Sequence, residues 1–568
     1  MFIDGEWCDS GSGDTFEVRS PATGEPLATL PKATREDVRR AVDAAEEAQP
    51  RIAKLSIKER AEMAVRISEA IRPNIEAWAL DLTLEQGKPI REARLEVSEV
   101  IPNLLWNTED LKRVETPVLE GYSKPEMMYL LRREPLGTVG VITPWNYPWL
   151  LPGEFVVQAM ICGNAVIFKP ASTTPISAVH FLEAMERAKI PRGAMNLITG
   201  PGPTAGMELV ENPKVDGICF TGETVTGEEI SHRAGLKKVG LELGGSGPLI
   251  VLDDADLTKA ARDIAMGCYN NAGQVCCANG RVLVQEKVHD TLVRKVVEES
   301  KRWRLGDPRR EETDIGSMNN EPTVSKVERH LSDGAQKGAQ ILSGGQRASG
   351  WPTALYFPPT VVDGVTTDML LGNSETFGPV APVLEFRTLE EAAEIANLPR
   401  YGLSMAIHTA NIRRAFTLAR ELKAGQVVIN DPALYWDYNH PWGGFRRSGF
   451  GRVAGKWTIE AFTEIKTVIL NVGESPDVAD GSGSTTETGK SAAAGKPVGF
   501  FDGRTRENEV LVVHRLSLRS PIRYHRAVGA GGGNDRWDGA SATSWCSSPR
   551  GWSSWHSCCS EPSSSPSS

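Results

Sequence analysis

Two adjacent cysteines, Cys276 and Cys277, are the residues whose setting most directly suggests chemistry. They lie in the segment NNAGQVCCANGR, from Asn270 to Arg281. A disulfide between sequence neighbours strains both the bond and the peptide, so a structural bridge between them is disfavoured. A nucleophilic cysteine must be partly thiolate, and a turn rich in small residues leaves backbone N–H groups exposed to stabilise it. The segment therefore predicts a nucleophilic cysteine.

Acyl transfer at a cysteine needs two more groups, a donor for the oxyanion and a base for the attacking water. Asn146, in TPWNYPW, follows a predicted strand and carries such a donor. Glu242, in GLELGG, ends another predicted strand, and the glycines after it allow close approach of a ligand. Taken singly, Asn146 is also consistent with a turn residue and Glu242 with a solvated charge.

Two glycine-rich turns indicate a possible phosphate site. They are NLITGPGPTAG, from Asn196 to Gly206, and CFTGETVTG, from Cys219 to Gly227. Glycine lets backbone N–H groups approach phosphate, and a helix N-terminus favours its charge. Each turn alone is equally consistent with a plain strand-to-helix connection. Together with Lys169 at the end of the strand IFK, they make a nucleotide site as plausible as plain turns.

Apolar periodicity predicts the elements that position these residues. Helical spacing runs from about residue 34 to 115, and Thr34 followed by Glu36 and Asp37 is a helix-start signal. After about residue 136, helical stretches alternate with the β-branched runs TVGVIT, NAVIFK, MNLIT, DGICFT and LIVL. A second set follows Cys276, with GRVLVQ, VHDTLVRKVVEES and PVAPVLEF. This alternation predicts an α/β fold with mostly parallel sheets.

Composition narrows the function classes. The chain has 568 residues, of which 40% are hydrophobic and 24% charged, as in ordinary globular enzymes. A net charge of −10 argues against nucleic acid or an anionic membrane as a partner. The N-terminus lacks the apolar run of a signal peptide, and no stretch reaches bilayer-spanning length, so we expect a cytoplasmic protein. The nine cysteines lack paired zinc-site spacing, so no metal is expected.

The C-terminal residues differ from the rest in composition. Residues 473–568 are rich in Ser, Gly and Ala, and their scattered Trp and Cys residues follow no helical or strand period. Such a segment cannot bury enough apolar surface to offset its ordering entropy. It is predicted to be a disordered tail.

From about Phe2 to Val472, the chain resembles the aldehyde dehydrogenase superfamily. The matching segments occur in the family's order and at its spacing: DGEWCDSGSGDTFEVRSPATGE, PLGTVGVITPWNYP, GNAVIFKPAS, FTGETVTG, LELGG, NNAGQVCCA, SETFGPVAPV and PWGGFRRSGFGR. The resemblance implies a Rossmann-like cofactor domain, a second α/β catalytic domain and a small β arm for assembly into a homodimer or homotetramer. The expected ranges are 1–116 and 137–243 for the cofactor domain, 244–455 for the catalytic domain, and 117–136 and 456–472 for the arm, before the tail at 473–568.

The resemblance also implies catalytic roles. The family's nucleophile is the Cys two positions after the Gln of GQxC, here Cys276 after Gln274, which leaves Cys277 as a packing residue. Asn146 and the backbone N–H of Cys276 would hold the oxyanion, and Glu242 would be the general base. The thiolate would attack the aldehyde to give a thiohemiacetal, hydride transfer would give a thioester, and water activated by Glu242 would release the acid.

The cofactor implied by the resemblance is NAD or NADP. Lys169 and Glu375 would bind its riboses, and the turn from Gly222 to Gly227 would lie by the pyrophosphate. The full set of expected cofactor contacts is Ile142, Trp145, Lys169, Ser172, Gly202, Gly222, Glu223, Gly227, Leu243, Glu375 and Phe377. The expected substrate pocket consists of Trp149, Glu154, Phe155, Val275, Trp436 and Trp442.

Two departures from the family pattern concern the cofactor. Glu223 stands where relatives often carry Ser, and a carboxylate near a pyrophosphate is unfavourable unless it turns away. Ser172 stands where NAD-preferring members often carry Glu, which leaves room for a 2′-phosphate three residues after Lys169. We therefore expect NADP to be accepted at least comparably with NAD.

Other departures concern the substrate. Glu154 occupies the position of an Arg that binds the carboxylate in semialdehyde-oxidising relatives, and Phe155 and Val453 replace a Lys–Glu ion pair. An apolar, aromatic or cationic aldehyde is therefore expected. A semialdehyde dehydrogenase and a catalytically silent structural member remain alternatives. Acyl transfer to coenzyme A is less favoured, because Glu242 is present to activate water.

Overall fold

A computed structural model describes residues 1–473 of the chain. Within that range the chain forms two large, mostly parallel sheets flanked by helices, with two small antiparallel sheets. The α/β prediction is confirmed. The predicted disorder of the tail concerns residues that, after 473, lie outside the described part.

The strands, numbered in chain order, are β1 (Phe2–Ile3), β2 (Glu6–Trp7), β3 (Thr15–Arg19), β4 (Pro26–Pro31), β5 (Val118–Glu120), β6 (Met127–Pro135), β7 (Thr138–Ile142), β8 (Ala165–Lys169), β9 (Met195–Leu197), β10 (Gly217–Gly222), β11 (Lys238–Leu243), β12 (Pro248–Val251), β13 (Arg281–Gln285), β14 (Gln340–Ser343), β15 (Thr360–Asp363), β16 (Val380–Phe386), β17 (Ser404–His408), β18 (Gln426–Ile429), β19 (Gly449–Phe450) and β20 (Thr463–Asn471).

The α-helices are α1 (Arg35–Ala53), α2 (Ile57–Ile71), α3 (Ile75–Gln86), α4 (Ile90–Lys112), α5 (Leu150–Ile161), α6 (Pro175–Arg187), α7 (Met207–Glu211), α8 (Thr224–Arg233), α9 (Leu257–Tyr269), α10 (His289–Ser300), α11 (Glu321–Gln336), α12 (Leu370–Asn373), α13 (Leu389–Asn397), α14 (Ile412–Glu421) and α15 (Lys456–Ala461).

The predicted N-terminal helical region is confirmed as α1 to α4. The first helix begins after Thr34, whose side chain accepts a hydrogen bond from the backbone of Asp37, while the Asp37 carboxylate accepts one from the backbone of Thr34. This reciprocal capping satisfies backbone donors that the helix itself leaves free. It explains why the Thr34 signal marks the correct start.

The first sheet contains eight strands in the order β19-β11-β10-β7-β8-β9-β1-β2. Its five central strands, β11, β10, β7, β8 and β9, are parallel. Strands β19 and β1 pair antiparallel with the two ends of this set, and β2 pairs antiparallel with β1. The chain order reverses between β10 and β7. In doubly wound sheets, ligands bind beyond the carboxyl ends of the strands at such a reversal.

The second sheet contains seven strands in the order β14-β15-β16-β13-β12-β17-β18, all parallel except β14. The LIVL run forms β12 within this sheet, so the second α/β set begins before Cys276, earlier than its motifs suggested. Conversely, β19 adds residues 449–450 to the edge of the first sheet. The chain therefore returns to the first sheet after completing the second.

The third sheet is an antiparallel arm in the order β20-β6-β5. Its main pair runs in continuous register from Thr463 opposite Pro135 to Asn471 opposite Met127, and both strands were predicted. Apolar side chains on β20 are exposed, including Ile465 at 56% and Ile469 at 58%. An exposed apolar ladder of this kind favours association with another surface.

Among residues 1–473, no helix is both long enough and apolar enough to cross a membrane. Over the same residues, the structure contains no group of three or more His, Cys, Asp or Glu side chains that could hold a metal ion.

Glu85, on α3, is fully buried and caps a neighbouring helix. Its carboxylate accepts hydrogen bonds of 2.8 Å from the backbone N–H groups of Ile176 and Ser177, at the start of α6. Burial nevertheless raises the pKa of Glu85 to about 8, although these bonds oppose the shift. The folded protein thus keeps a proton on Glu85 that the unfolded chain releases above about pH 4.5.

We predict that Glu85→Gln makes the free energy of unfolding less dependent on pH between pH 5.5 and 7.5. Because the folded-state pKa is raised, the wild-type protein loses stability as pH rises through this window, by up to about 1.4 kcal/mol per pH unit from this group. Gln does not titrate, so the variant should lose less. Urea denaturation at several pH values measures the slope.

The matched control is Glu47→Gln, which changes an exposed carboxylate on α1 and should leave the slope unchanged. Equal slopes for Glu85→Gln and the wild-type protein would contradict the assignment of a bound proton to Glu85.

Candidate active site

Asn146 lies in the loop between β7 and α5, at the carboxyl edge of the first sheet. Its side chain is 5% exposed, and Nδ2 donates a 3.0 Å hydrogen bond to the backbone carbonyl of Gln274. The loop therefore reaches the segment that carries the two cysteines. This contact brings together two motifs that lie more than a hundred residues apart in sequence.

The cysteine segment begins with a left-handed turn. Asn271, Ala272 and Gly273 have φ values of 48°, 54° and 71°. A side chain at Gly273 would also place its Cβ 2.1 Å from the carbonyl oxygen of Gly378, so only glycine fits there. Left-handed conformations of Asn and Ala are costly, and they persist where surrounding contacts hold them.

Those contacts come from side-chain amides. Asn271 Nδ2 donates to the carbonyl oxygen of Asn146 at 3.1 Å, and Gln274 Nε2 donates back to the carbonyl oxygen of Asn271 at 2.9 Å. Gln274 Oε1 accepts a 2.9 Å bond from the backbone of Asn319. The turn before Cys276 is thus fixed by a buried amide network.

Glu242 reaches the same region from β11, the strand next to the edge strand β19. Its side chain is buried, and Oε1 makes no hydrogen bond to any group in residues 1–473. Gly245, three residues after Glu242, touches the cysteine segment. A Cβ on Gly245 would lie 2.4 Å from the carbonyl oxygen of Cys276. The fold thus gathers Asn146, Glu242 and Cys276 into one region.

Electrostatics in this region disfavour the ionised forms of Cys276 and Glu242. A hydrogen bond to Cys277, burial, and the charges of Cys277 and Glu375 raise the pKa of the Cys276 thiol well above its usual value. Burial and the charges of Cys276 and Glu154 raise the pKa of Glu242 in the same direction. The shift at Cys276 opposes a thiolate, so its stabilisation by the turn stays a prediction, and ionisation of Cys276 needs an acceptor for its proton.

The predicted cofactor residues line the carboxyl edge of the first sheet. Ile142, Lys169, Gly222 and Leu243 are the last residues of β7, β8, β10 and β11. Gly227 belongs to α8 and packs directly against β11. A Cβ on Gly227 would lie 2.3 Å from the Leu243 side chain. Parallel strands and close-packed glycines form the cradle that a dinucleotide requires.

Several polar groups at this edge are free to meet a ligand. Thr143 Oγ1 and Thr221 Oγ1 are buried and make no hydrogen bond within residues 1–473. Burial lowers the pKa of Lys169 to about 8, and within residues 1–473 its Nζ donates only to the carbonyl of the neighbouring Pro170. The residues present therefore fit a nicotinamide dinucleotide.

The remaining cofactor candidates surround this edge. Ser172 donates a 2.9 Å bond to the carbonyl of Gly200, and Gly202 starts a helical turn with open space around its Cα. Glu223 is exposed at the start of α8 and gives that helix no side-chain cap.

On the side of the second sheet, Glu375 accepts a 2.9 Å bond from the backbone of Gly245, and burial raises its pKa. Phe377 adopts a φ of 60° and makes an edge-to-face contact with Trp145. The side chains of Glu375, Phe377 and Trp145 thus lie where the two sheets meet, near the cysteine segment.

Trp149 does not line a pocket. It is fully buried, stacks on Trp78 with ring centroids 5.2 Å apart, and packs edge-on against Phe181. Its place in the predicted substrate pocket is therefore corrected to the helical core. Aromatic spacing alone did not distinguish an interior ring from a pocket ring.

Glu154 is also corrected, because its carboxylate is already satisfied inside the protein. It accepts bonds from Asn103 Nδ2 at 2.7 Å, from the backbone of Ala454 at 3.0 Å and from Thr458 Oγ1 at 3.2 Å. Burial raises its pKa to about 7. The side chain ties α5 to the segment before α15 and is not free to pair with a cationic substrate.

Three other pocket candidates belong to the hydrophobic core against which Cys276 also packs. Val275, Trp436 and Trp442 pack in the same hydrophobic cluster as Cys276. Phe155 and Val453, which replace the ion pair of relatives, line a cavity of about 390 Å³ together with Glu242. Apolar side chains therefore border Glu242 in this cavity.

Sequence reasoning missed the residues that hold the loops. Asn271 and Gln274 lie inside the quoted cysteine motif but received no role, and Lys88, Glu92 and Glu96 were seen only as part of a helical pattern. The four-residue spacing of Glu92 and Glu96 within one predicted helix was a signal that these two share a face.

The whole arrangement has counterparts in known proteins. The family model described as "Aldehyde dehydrogenase family" matches residues 7–468. The chain belongs to the aldehyde dehydrogenase family. It is therefore an NAD(P)-dependent enzyme that oxidises an aldehyde, and the resemblance of its motifs to this family is confirmed.

Among the relatives of this aldehyde dehydrogenase is glutarate-semialdehyde dehydrogenase from Pseudomonas putida. The two are 35% identical over 473 residues, which cover 83% of this chain and 97% of the relative. The fold of this chain matches that of an NAD-dependent aldehyde dehydrogenase from Sinorhizobium meliloti. The TM-score is 0.81 at 36% identity, over 84% of this chain and 96% of that one. An NADP-dependent enzyme from E. coli matches with a TM-score of 0.81 at 34% identity, over 83% and 97% of the chains.

We predict that Cys276→Ala abolishes aldehyde oxidation, while Cys277→Ala keeps most of it. Cys277 is buried in the hydrophobic core, and its contact with the Cys276 thiol is the first cause of that thiol's raised pKa. Removing the contact should therefore also let Cys276 react with iodoacetamide at lower pH. Steady-state kinetics and the pH dependence of alkylation measure both effects.

Cys268→Ala, which removes another buried thiol, serves as the control and should change neither the activity nor the alkylation profile. Equal loss of activity in both cysteine variants, with both folded, would overturn the assignment of Cys276.

Proposed function

We propose that Cys276, Asn146 and Glu242 perform the oxidation of an apolar or aromatic aldehyde to its carboxylic acid. The observation that carries this proposal is the 3.0 Å bond from Asn146 Nδ2 to the Gln274 carbonyl, which puts the amide beside the nucleophile segment. An oxyanion formed at Cys276 would meet that amide and the backbone N–H of Cys276.

Proton transfers follow from the raised pKa values. The Cys276 thiol gives up its proton, Glu242 being the neighbouring acceptor, and the sulfur adds to the aldehyde carbon. NAD(P)⁺, when bound, supplies the acceptor for the hydride that leaves this carbon. Glu242 next releases the thiol proton to solvent and is a carboxylate again. It then takes a proton from water, whose oxygen attacks the thioester, and the Cys276 thiolate leaves as the acid departs.

We assign the cofactor to the carboxyl edge of the first sheet. Lys169 and Glu375 would hold the riboses, and the turn from Gly222 to Gly227 would hold the pyrophosphate. Ser172 leaves the ribose 2′ position free of a carboxylate, so NADP fits as well as NAD. The exposed position of Glu223 supports this, since the side chain can turn away into solvent.

The substrate assignment rests on the apolar surroundings of Cys276. Trp436 and Tyr147 are partly buried against the cluster that contains it, and Trp442 is buried there. Trp436 also packs edge-on against Tyr438 at 4.9 Å. Rings of this kind favour an aromatic or aliphatic aldehyde. Glu154 is withdrawn as a site for a cation, because its oxygens are occupied by protein donors.

A semialdehyde is the second candidate. The similarity to glutarate-semialdehyde dehydrogenase from Pseudomonas putida favours it. Against it stands the residue at position 154, which is Glu and not the Arg expected to bind the carboxylate of a semialdehyde.

We also propose the domain division given by the family, with the two large sheets as the cofactor and catalytic domains. The arm formed by β20, β6 and β5 would join copies into a homodimer or homotetramer. The exposed apolar side chains of β20 support this role, because an isolated apolar ladder is stabilised by a partner.

For the cofactor, we predict that NADP⁺ is used at least comparably with NAD⁺, and that Ser172→Glu lowers kcat/KM for NADP⁺ much more than for NAD⁺. The new carboxylate would repel the 2′-phosphate near Lys169. Ser172→Gln, with the same shape and no charge, is the control and should shift the ratio little. A wild-type preference for NAD⁺ above about a hundredfold, or about 2.7 kcal/mol, would refute the assignment.

For the substrate, we predict a higher kcat/KM for benzaldehyde than for succinate semialdehyde. Trp436→Ala should lower the benzaldehyde value by about tenfold, through lost ring contacts, and change acetaldehyde little. Trp351→Ala, which removes a ring stacked on Tyr356 outside the site, is the control. If succinate semialdehyde is the better substrate of the unmodified enzyme, the semialdehyde alternative replaces the proposal.

A further inference from the structure

Lys88 is a buried cation directly beneath the loop that carries Asn146. It is 2% exposed, follows α3 and precedes α4. Its Nζ donates a 2.7 Å hydrogen bond to the backbone carbonyl of Asn146 and lies 4.2 Å from the ring centroid of Tyr147. Burying a lysine is costly, so its contacts must compensate for the lost hydration.

Glu96, on α4, is the charge partner of Lys88. The two side chains form an ion pair in which both are almost completely buried. The second oxygen of Glu96 accepts a 2.8 Å bond from the backbone of Trp149 and a 3.3 Å bond from that of Leu150. Glu96 therefore caps the start of α5, where a negative charge is favourable.

The two residues of the ion pair thus form hydrogen bonds to both ends of one short loop. Lys88 holds the carbonyl of Asn146 at the first end, and Glu96 holds the amides of Trp149 and Leu150 at the other. Asn146, whose side chain would meet the oxyanion, is the residue held at the first end. Movement of the loop would break charged hydrogen bonds in a buried setting, where such bonds are strong.

One helical turn before Glu96, a second carboxylate holds the other half of the site. Glu92 accepts a 3.0 Å bond from the backbone of Asn271, the first left-handed residue of the turn before Cys276. Residues four apart on a helix share a face. One face of α4 therefore touches both loops, the one with Asn146 and the one with Cys276.

We propose that Lys88 and Glu96 are positioning residues for the oxyanion donor. They fix the loop so that Asn146 Nδ2 keeps its place beside Cys276 before the aldehyde arrives. The inference rests on the role proposed for Asn146. It follows that their effect on catalysis passes through the Asn146 amide and disappears when that amide is absent.

A double-mutant cycle tests this. Lys88→Met and Glu96→Gln are near-isosteric, and each is made in the wild-type protein and in Asn146→Ala, with kcat and KM measured at saturating NAD(P)⁺. In the wild-type background each should lower kcat by about tenfold to a hundredfold, since small misplacement of an oxyanion donor is costly, with KM changed less than about threefold. In the Asn146→Ala background the further loss should fall below about threefold.

The matched control is Glu85→Gln. Glu85 is likewise a buried carboxylate that caps a helix, but its side chain bonds to the start of α6 and not to the Asn146 loop. It should leave kcat within about threefold of the wild-type value. The rate at which iodoacetamide alkylates Cys276 should also stay unchanged in Glu96→Gln, because the pair acts on the donor loop and not on the thiol.

Each other outcome has a definite meaning. Equal losses of kcat in both backgrounds would overturn the inference, because a general loss of structure does not depend on Asn146. Unchanged kcat in both Lys88→Met and Glu96→Gln would overturn it as well. If Lys88→Met does not fold, Glu96→Gln alone completes the cycle, since it keeps an acceptor for the Trp149 amide. An Asn146→Ala variant with full activity would instead refute the proposed oxyanion role.

Discussion

The hydrogen bond from the Asn146 side chain to the Gln274 carbonyl joins the two halves of the site. Asn146 follows β7 of the first sheet, and Gln274 precedes β13, a central strand of the second sheet. Neither loop is regular structure, so each depends on side chains to fix it. The buried amides of Asn271 and Gln274 and the charged groups of α4 supply those contacts. Catalytic geometry in this protein is thus a property of a polar network between elements.

The charge balance of the site follows from the same crowding. Burial penalises the ionised forms of Glu242, Glu375 and Cys276, while Cys276 contributes to the raised pKa of Glu242 and Glu375 to that of Cys276. The site therefore disfavours both the Cys276 thiolate and the Glu242 carboxylate. Such a site is unreactive until a proton is moved, which links thiol activation to the neighbouring carboxylate. The Cys277 sulfur strengthens this effect by its contact with Cys276.

The replaced ion pair has a structural consequence near Glu242. Phe155 and Val453, at the positions where the family resemblance implies an ion pair, line a cavity together with Glu242. The tie between α5 and the segment before α15 is made instead by Glu154, through Ala454 and Thr458. A charge lost at position 155 is thus accompanied by a carboxylate at position 154. The connection between these elements is kept, while the wall beside Glu242 becomes apolar.

The sequence by itself determined the order of helices and strands, the Thr34 start of α1, and the motif positions of Cys276, Asn146 and Glu242, because periodicity and turn chemistry are local properties. Only the tertiary structure decided which rings and charges face inward. Trp149 and Glu154 have the residue types of pocket residues, yet one stacks on Trp78 and the other bonds to a segment 300 residues away. Lys88 and Glu96 looked like ordinary helix residues and prove to hold the Asn146 loop. Burial and partners depend on long-range packing, which no short stretch of sequence encodes.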